Sequence, residues 1–183
     1  ALIVRHGKVA YQHAFGQRDR EAQAPMSENA IFRIASQTKA LISVGVMMLQ
    51  EEGRLTITDP VGLYLPEWMN TTVAERDSDG TYRVVSANRP ITIRDLLTHT
   101  AGIGYGGGIA QDKWTEADIT GWYFAHRDEP IGDTVRRMAA LPMDAQPGTA
   151  FVYGYNIDIL GALIERVSGS PLDIFMRSQI LDP

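Results

Sequence analysis

The longest apolar stretch of the chain follows Ser36 and predicts a long helix. Apolar residues fill most of positions 40–49 and would lie on every side of a helix, so we expect a helix over Ser36–Glu52 that is buried nearly all round. Gly53 is a natural stop for it. Between positions 158 and 168 the apolar residues recur three and four apart, which predicts an amphipathic helix that ends before Gly169.

Shorter patterns predict the remaining elements. Two hairpins are indicated by strand-like segments around turn residues, one around His6-Gly7 and one around residues 77–80. Further helices are expected over 93–98, 116–124 and 131–140 and from Ser170 onward. The first of these helices begins at Thr92 and Asp95, whose spacing is that of a capping box.

Composition narrows the range of partners. The net charge is −5 and basic residues never form a run longer than two, which argues against nucleic acid as a partner. No apolar run approaches 18 residues, so no membrane span is predicted. Cysteine is absent, which excludes disulfides, thiol catalysis and thiolate metal sites. A length of 183 residues fits one domain or two closely joined lobes.

Ser36 and Lys39 are the first candidates for chemistry. Residues three apart on a helix share a face, so the hydroxyl and the amine should lie side by side. A serine hydroxyl becomes a nucleophile when a base takes its proton, and a desolvated lysine can act as that base. The alternative is structural: Ser36 would cap the helix while Lys39 extends its ammonium to solvent.

The glycine-rich segment, the histidines and the aromatic residues give weaker indications of function. The glycine-rich segment 102–107 matches the G-x-G-x-x-G spacing of dinucleotide sites, but it follows a helix rather than a strand, and we interpret it as a flexible loop. The four histidines lack metal-ligand spacing, so no metal site is predicted, and no cofactor is implied. The aromatic residues at 114 and 122–124 fit the core of a helical lobe better than the wall of a cleft.

Three segments carry a resemblance to a known family. They are SQTK (36–39), LLTHTAG (96–102) and PGTAFVYGYNIDILG (147–161). In this order they closely resemble the serine β-lactamase and penicillin-binding-protein-like family, in its class C and family VIII carboxylesterase branch. The resemblance implies a β-lactamase/transpeptidase-like α/β (α+β) fold, with an antiparallel sheet flanked by helices and a mostly helical lobe. Residues 1–35 would form the N-terminal hairpin of the α/β lobe, and residues 36–183 the mostly helical lobe.

The resemblance also implies roles for individual residues. Ser36 matches the family's nucleophile, Lys39 its lysine and Tyr153 its catalytic tyrosine. The Lys39 cation would favour the tyrosine anion, and the pair could then relay protons, although the sequence leaves open which of them is the base. Tyr155 is a fallback for the catalytic tyrosine, and Tyr155 and Asn156 are expected to bind substrate. His99, which is typical of the family, is interpreted as structural.

The family's third motif has no match after Tyr153. In the family this motif lies on a strand near the C-terminus, lines the cleft and helps to form the oxyanion hole. We therefore expect the chain to be a fragment that lacks the C-terminal strands, is weakly active or inactive alone, and is completed by a second chain. Family members are often exported, which favours a periplasmic or secreted location.

The expected function is that of a serine hydrolase that acts on carboxylic esters through an acyl-enzyme. Many members of the family that this chain resembles have an asparagine two residues after the catalytic tyrosine, whereas here Asn156 lies three residues after Tyr153. The esterase-like branch often lacks that asparagine, so the resemblance favours esters over lactams. Two alternatives stay open: a β-lactamase or D-amino-acid peptidase or amidase of the same family, or a non-catalytic, penicillin-binding-like protein. The expected partner is a small ester or amide.

Overall fold

A computed structural model describes residues 1–182, which divide after Ala35 into two compact units. In the first unit, strands β1 (Leu2–Arg5) and β2 (Lys8–Gln12) form an antiparallel hairpin, as the sequence predicts. His6 and Gly7 both have positive φ, which is the backbone that a tight two-residue hairpin turn requires. Strands β3 (Gln17–Asp19) and β4 (Ala24–Pro25) form a second short ladder.

The second unit begins at Ser36 and is mostly helical. Its one hairpin among the described residues pairs β5 (Thr72–Arg76) with β6 (Tyr82–Ser86), where the sequence predicts it. Its α-helices are α1 (Thr38–Glu51), α2 (Ile93–Leu97), α3 (Gln111–Glu116), α4 (Ile131–Met138), α5 (Asn156–Ser168) and α6 (Leu172–Met176), followed by a π-helical turn (Arg177–Leu181).

Helix α5 is the centre of this unit. Helices α1, α2, α4 and α6 all pack against it. Its side chains Ile159, Leu160, Leu163 and Ile164 are fully buried, so the predicted apolar face is the one that the other helices cover. The helix ends at Gly169, whose left-handed φ of 74° terminates it as the sequence predicts.

Helix α1 is buried on one face only, whereas the sequence predicts burial on nearly all sides. Ile42, Val46 and Leu49 face α5 and α6 and are buried. Val44 and Met47 lie on the opposite side and are 48% and 39% exposed. The prediction was wrong because, among residues 36–182, neighbouring helices cover only one face of α1. The helix also begins two residues late, after a 3-10 turn over Ala35–Gln37.

The prediction of a helix over 116–124 is also wrong. Helix α3 ends at Glu116, and Asp118 has a left-handed φ of 56°, which an α-helix cannot accommodate. A 3-10 turn over Tyr123–Ala125 follows. Trp114 and Tyr123 do lie in the core, as predicted, but the Trp122 side chain is 74% exposed.

The predicted capping box at the start of α2 is present. The Thr92 hydroxyl accepts a hydrogen bond from the Asp95 backbone N–H at 3.2 Å, and the Asp95 carboxylate accepts one from the Thr92 N–H at 2.9 Å. The Arg89 guanidinium forms a bidentate ion pair with the same carboxylate, with nitrogen–oxygen distances of 2.7 and 2.9 Å. These bonds fix the start of α2, and α2 leads directly into the segment that carries His99.

We expect Thr92→Ala to lower the free energy of unfolding by about 1 kcal/mol, because the Asp95 N–H loses its capping acceptor. Urea unfolding of the intact protein measures this. Thr115→Ala, in an exposed position of α3, is the matched control and should cost less. Equal losses for the two variants would contradict a specific role for the cap.

Candidate active site

Ser36 lies exposed at the N-terminal end of α1. Ala35, immediately before it, has a left-handed φ of 45°, a conformation that costs energy in a residue with a Cβ. The 3-10 turn over Ala35–Gln37 then passes into the helix, so that Ser36 and Lys39 are one turn apart. The Lys39 ammonium donates to the Ser36 hydroxyl at 3.3 Å, which is the neighbourhood that the spacing predicts.

Tyr153 completes the contact from a distant part of the chain. Its hydroxyl donates to the Ser36 oxygen at 2.8 Å. The Lys39 nitrogen lies over the Tyr153 ring, 4.8 Å from the ring centre. The structure therefore brings together the three residues that the family resemblance assigns to catalysis. Ser36 and Tyr153 are 117 positions apart in the sequence.

Tyr105 is a fourth member of the cluster, and sequence reasoning missed it. Its hydroxyl accepts a hydrogen bond from the Lys39 ammonium at 3.3 Å. Its ring meets that of Tyr153 edge to face, with centres 5.8 Å apart. The signal available in the sequence was a lone tyrosine inside a glycine-rich loop, a position where a bulky side chain needs a reason.

The glycine-rich loop is shaped by close packing. A Cβ at Gly104 or Gly108 would collide with the carboxylate of Asp144, which accepts a hydrogen bond from the Ile109 N–H at 3.0 Å. A Cβ at Gly154 would collide with the backbone of Gly104. The glycines thus let the segments that carry Tyr105 and Tyr153 approach each other closely.

The electrostatics separate the roles of Lys39 and Tyr153. Burial alone would lower the pKa of Lys39, but its interactions with Tyr153 and Tyr105 outweigh burial, and the pKa is raised. Lys39 is therefore an ammonium at neutral pH. The hydrogen bond with Ser36 and the nearby Lys39 charge lower the pKa of Tyr153. The interactions within the cluster therefore make proton loss easier at Tyr153 and harder at Lys39.

Among the described residues, Tyr155 and Asn156 form hydrogen bonds with groups other than Ser36. Tyr155 is 1% exposed, and its hydroxyl donates to the Gly121 carbonyl at 2.9 Å. Asn156 is fully buried at the start of α5. The expectation that these two residues bind substrate is not supported by this geometry, and of the two tyrosines Tyr153 is the one that contacts Ser36.

Asp158 places a carboxyl group near the cluster from the first turn of α5. Burial raises its pKa to about 6, against the opposing influence of the Lys39 charge. Its charge also acts on Tyr105, where burial raises the pKa and Asp158 raises it further. The cluster therefore has a titratable neighbour whose charge changes near neutral pH.

Residues 1–182 contain neither a candidate membrane span nor a candidate metal-binding cluster. None of their helices is both long and apolar enough to cross a bilayer. Within the same residues, His, Asp and Glu side chains nowhere form a group of three that could hold a metal ion.

Comparison with known proteins finds relatives that match the whole length of this chain. A family model described as Beta-lactamase matches residues 1–183. Esterase EstB of Burkholderia gladioli is 35% identical over the whole chain, and the putative penicillin-binding protein PbpX of Bacillus subtilis is 28% identical. The structure of EstCE1, a hydrolase with promiscuous acyltransferase activity, superposes with a TM-score of 0.80 at 32% identity and covers 100% of the chain.

The matches cover less than half of each relative. The chain spans 44% of EstB, 38% of PbpX and 45% of the EstCE1 chain. The shared fold is the β-lactamase/transpeptidase-like fold that the sequence resemblance implies. Within it, the strands among residues 1–182 form three separate two-stranded antiparallel ladders.

We expect Asp158→Asn to raise the free energy of unfolding at pH 8 by on the order of 2 kcal/mol, because a buried carboxyl group ionises there at a cost. A carboxyl group whose pKa is raised by folding stabilises the fold at about pH 4 and loses that contribution as the pH rises through about 6. The advantage of the variant should therefore vanish near about pH 4.

Chemical unfolding of the intact protein between those pH values measures the difference. Asp173→Asn, which removes an exposed carboxyl group from the first turn of α6, is the control and should show no such pH-dependent gap. A gap for Asp158→Asn that stays constant over the range would contradict the assignment of the raised pKa to this residue.

Proposed function

The chain belongs to the β-lactamase family, and we propose that it is the part of a serine hydrolase that carries the nucleophile and cleaves carboxylic esters through an acyl-enzyme. Ser36 is the proposed nucleophile, Tyr153 the general base and Lys39 the cation that makes ionisation of Tyr153 easier. The observation that carries the proposal is the 2.8 Å contact between the Tyr153 and Ser36 hydroxyls, with the Lys39 ammonium 3.3 Å from Ser36.

Acylation begins with proton transfer. The Tyr153 phenolate takes the proton of Ser36, whose oxygen bonds to the ester carbonyl carbon while the carbonyl electrons move to its oxygen. The tetrahedral intermediate then collapses, the bond to the alcohol oxygen breaks, and the proton returns from Tyr153 to the departing alkoxide. Water attacks the acyl-enzyme with Tyr153 again as base, which releases the acid and restores Ser36.

Tyr153 is a better candidate for the base than Lys39. The pKa of Lys39 is raised by its phenol neighbours, which outweigh its burial, so it holds its proton when the reaction begins. The lowered pKa of Tyr153 increases the phenolate fraction near neutral pH. In this assignment Lys39 acts by its charge alone.

Two observations support esters as the substrate class. EstB is named an esterase, and EstCE1 is described as a hydrolase with acyltransferase activity. In addition, the Asn156 amide is fully buried and its nitrogen is hydrogen-bonded to the Ile103 and Val152 carbonyls, which argues against a contact with a lactam or peptide substrate. An ester needs no such contact, because its alkoxide leaves more readily than an amine.

A second candidate is a penicillin-binding relative that forms an adduct without turnover. The similarity to PbpX, a putative penicillin-binding protein, favours it. The two candidates share the activated Ser36 and differ in deacylation, so one set of measurements separates them.

The first test is covalent labelling of the intact protein with a fluorophosphonate, followed by intact-mass measurement. We expect one adduct that is lost in Ser36→Ala and retained in Ser43→Ala, whose hydroxyl only bonds back to the Lys39 carbonyl in the same helix. A p-nitrophenyl ester should then show turnover, whereas a stable penicillin adduct without ester turnover would support the second candidate. Labelling that survives Ser36→Ala would exclude Ser36 as the nucleophile.

The second test distinguishes the proposed role of Tyr153 as the base from that of Lys39 as a cation. Tyr153→Phe should slow ester acylation by about 10²- to 10⁴-fold, the usual contribution of a general base. Lys39→Arg keeps the charge on a group that cannot give up its proton, and should retain more activity than Lys39→Met. In Lys39→Met the ascending limb of the pH–rate profile should move to higher pH, because Tyr153 loses the cation. Equal loss in the arginine and methionine variants would point to Lys39 as the base.

A further inference from the structure

The hydrogen bonds of the Asn156 side-chain amide are arranged at a cost to the stability of the fold. Its nitrogen lies within hydrogen-bond distance of three acceptors: His99 Nδ1 at 3.0 Å, the Ile103 carbonyl at 2.9 Å and the Val152 carbonyl at 3.1 Å. Its oxygen is buried without a partner among the described residues. An unpaired buried oxygen costs about 1–3 kcal/mol. Such a group in a native interior calls for an explanation beyond packing.

The neighbours fix the orientation of this amide. If the amide were turned over, its oxygen would face the carbonyl oxygens of Ile103 and Val152, and neither could donate a hydrogen bond. The nitrogen must therefore face these acceptors, with two hydrogens shared among three of them. Asn156 acts as a clamp that joins the backbone carbonyls of Ile103 and Val152 and the His99 imidazole.

Each clamped segment carries part of the active-site cluster. Val152 directly precedes Tyr153, and Ile103 lies two residues before Tyr105. Both tyrosines are the ones that meet Lys39 and Ser36. The clamp thus fixes the spacing between the two phenols by holding their main chains at one buried nitrogen.

His99 extends the clamp to the Tyr153 ring. Its imidazole packs against that ring, with centres 4.7 Å apart and planes at 36°. Its backbone has a left-handed φ of 56°, and its carbonyl accepts the Val152 N–H at 2.8 Å. Because Nδ1 accepts from Asn156, the imidazole is neutral, with its proton on Nε2. Burial and the Lys39 charge lower the pKa of His99, which agrees with a neutral ring.

We propose that Asn156 and His99 are positioning residues that hold the Tyr153 hydroxyl against Ser36 and thereby set the efficiency of the base. This inference rests on the proposed function, in which Tyr153 is the base. Neither residue contacts the Ser36 hydroxyl, so each would act through Tyr153. A purely structural residue would stabilise the fold without a specific effect on that tyrosine.

The first experiment is a double-mutant cycle on the intact protein. Asn156→Leu keeps the number and branching of the side-chain heavy atoms and removes the three hydrogen bonds, and it is measured with Tyr153 present and in a Tyr153→Phe background. We expect fluorophosphonate labelling to slow by about 10- to 100-fold with Tyr153 present, because a small misplacement of a base is costly. In the Tyr153→Phe background we expect less than about a twofold further loss. Equal losses in the two backgrounds would overturn the inference.

The second experiment needs no activity. Tyrosine labelled with ¹³C at Cζ gives a titration curve for Tyr153, identified by its loss in Tyr153→Phe. Ser36 and Lys39 keep the pKa of Tyr153 below its ordinary value, and Asn156→Leu should move the midpoint up toward about 10. An unchanged midpoint would overturn the inference. If Ser36 does not react with the probe at all, the proposed function fails, and this titration still decides the positioning role.

Two further variants complete the test. His99→Asn keeps a residue that tolerates left-handed backbone but removes the ring from Tyr153, so it should shift the titration and slow labelling in the same directions. It also serves if Asn156→Leu does not fold. Asn70→Leu, at an exposed position, is the control and should leave both measurements unchanged. A His99→Asn variant with wild-type titration and labelling would contradict the role of His99.

Discussion

The half-buried ammonium of Lys39 is the constraint on which the rest of the site depends. A charge removed from water needs partners, and Lys39 finds oxygen partners in Ser36 and Tyr105 and the face of the Tyr153 ring. Among residues 1–182 no carboxylate lies within ion-pair distance of it. Neutral partners satisfy the cation without cancelling its charge, so its field remains available to lower the pKa of Tyr153.

This arrangement dictates the backbone around it. Two phenols can meet one ammonium only if their main chains come close, and the absence of Cβ atoms at Gly104 and Gly154 permits that approach. The buried amide of Asn156 then holds the same two segments together. The left-handed backbone at Ala35 adds local strain on the Ser36 side. The site therefore includes local strain and an unpaired polar atom, while α5 and the helices around it supply an apolar core.

The sequence predicts what depends on local spacing and misses what depends on tertiary contacts. The neighbourhood of Ser36 and Lys39 follows from helical periodicity, and Tyr153 entered through the family resemblance. Tyr105 was missed because its meeting with Lys39 depends on a loop closure over 66 positions. Asn156 is expected to bind substrate from its place in the motif, but motif spacing cannot reveal that its side chain is fully buried at the start of α5. The helix expected over 116–124 failed because apolar residues alone do not reveal the left-handed backbone at Asp118.

The acid–base chemistry of the proposed reaction follows from how few groups touch Ser36. Tyr153 hydrogen-bonds to the Ser36 hydroxyl and has a lowered pKa, whereas Lys39 keeps its proton. One phenol must then accept the serine proton and return it to the leaving group within the same half-reaction. A phenol does this well only if both its protonated and ionised forms are accessible, and the fixed charge of Lys39 makes the ionised form accessible without supplying a competing acid. Such a site favours leaving groups that need little help from a strong acid, and this physical argument is why the proposed substrates are esters rather than amides.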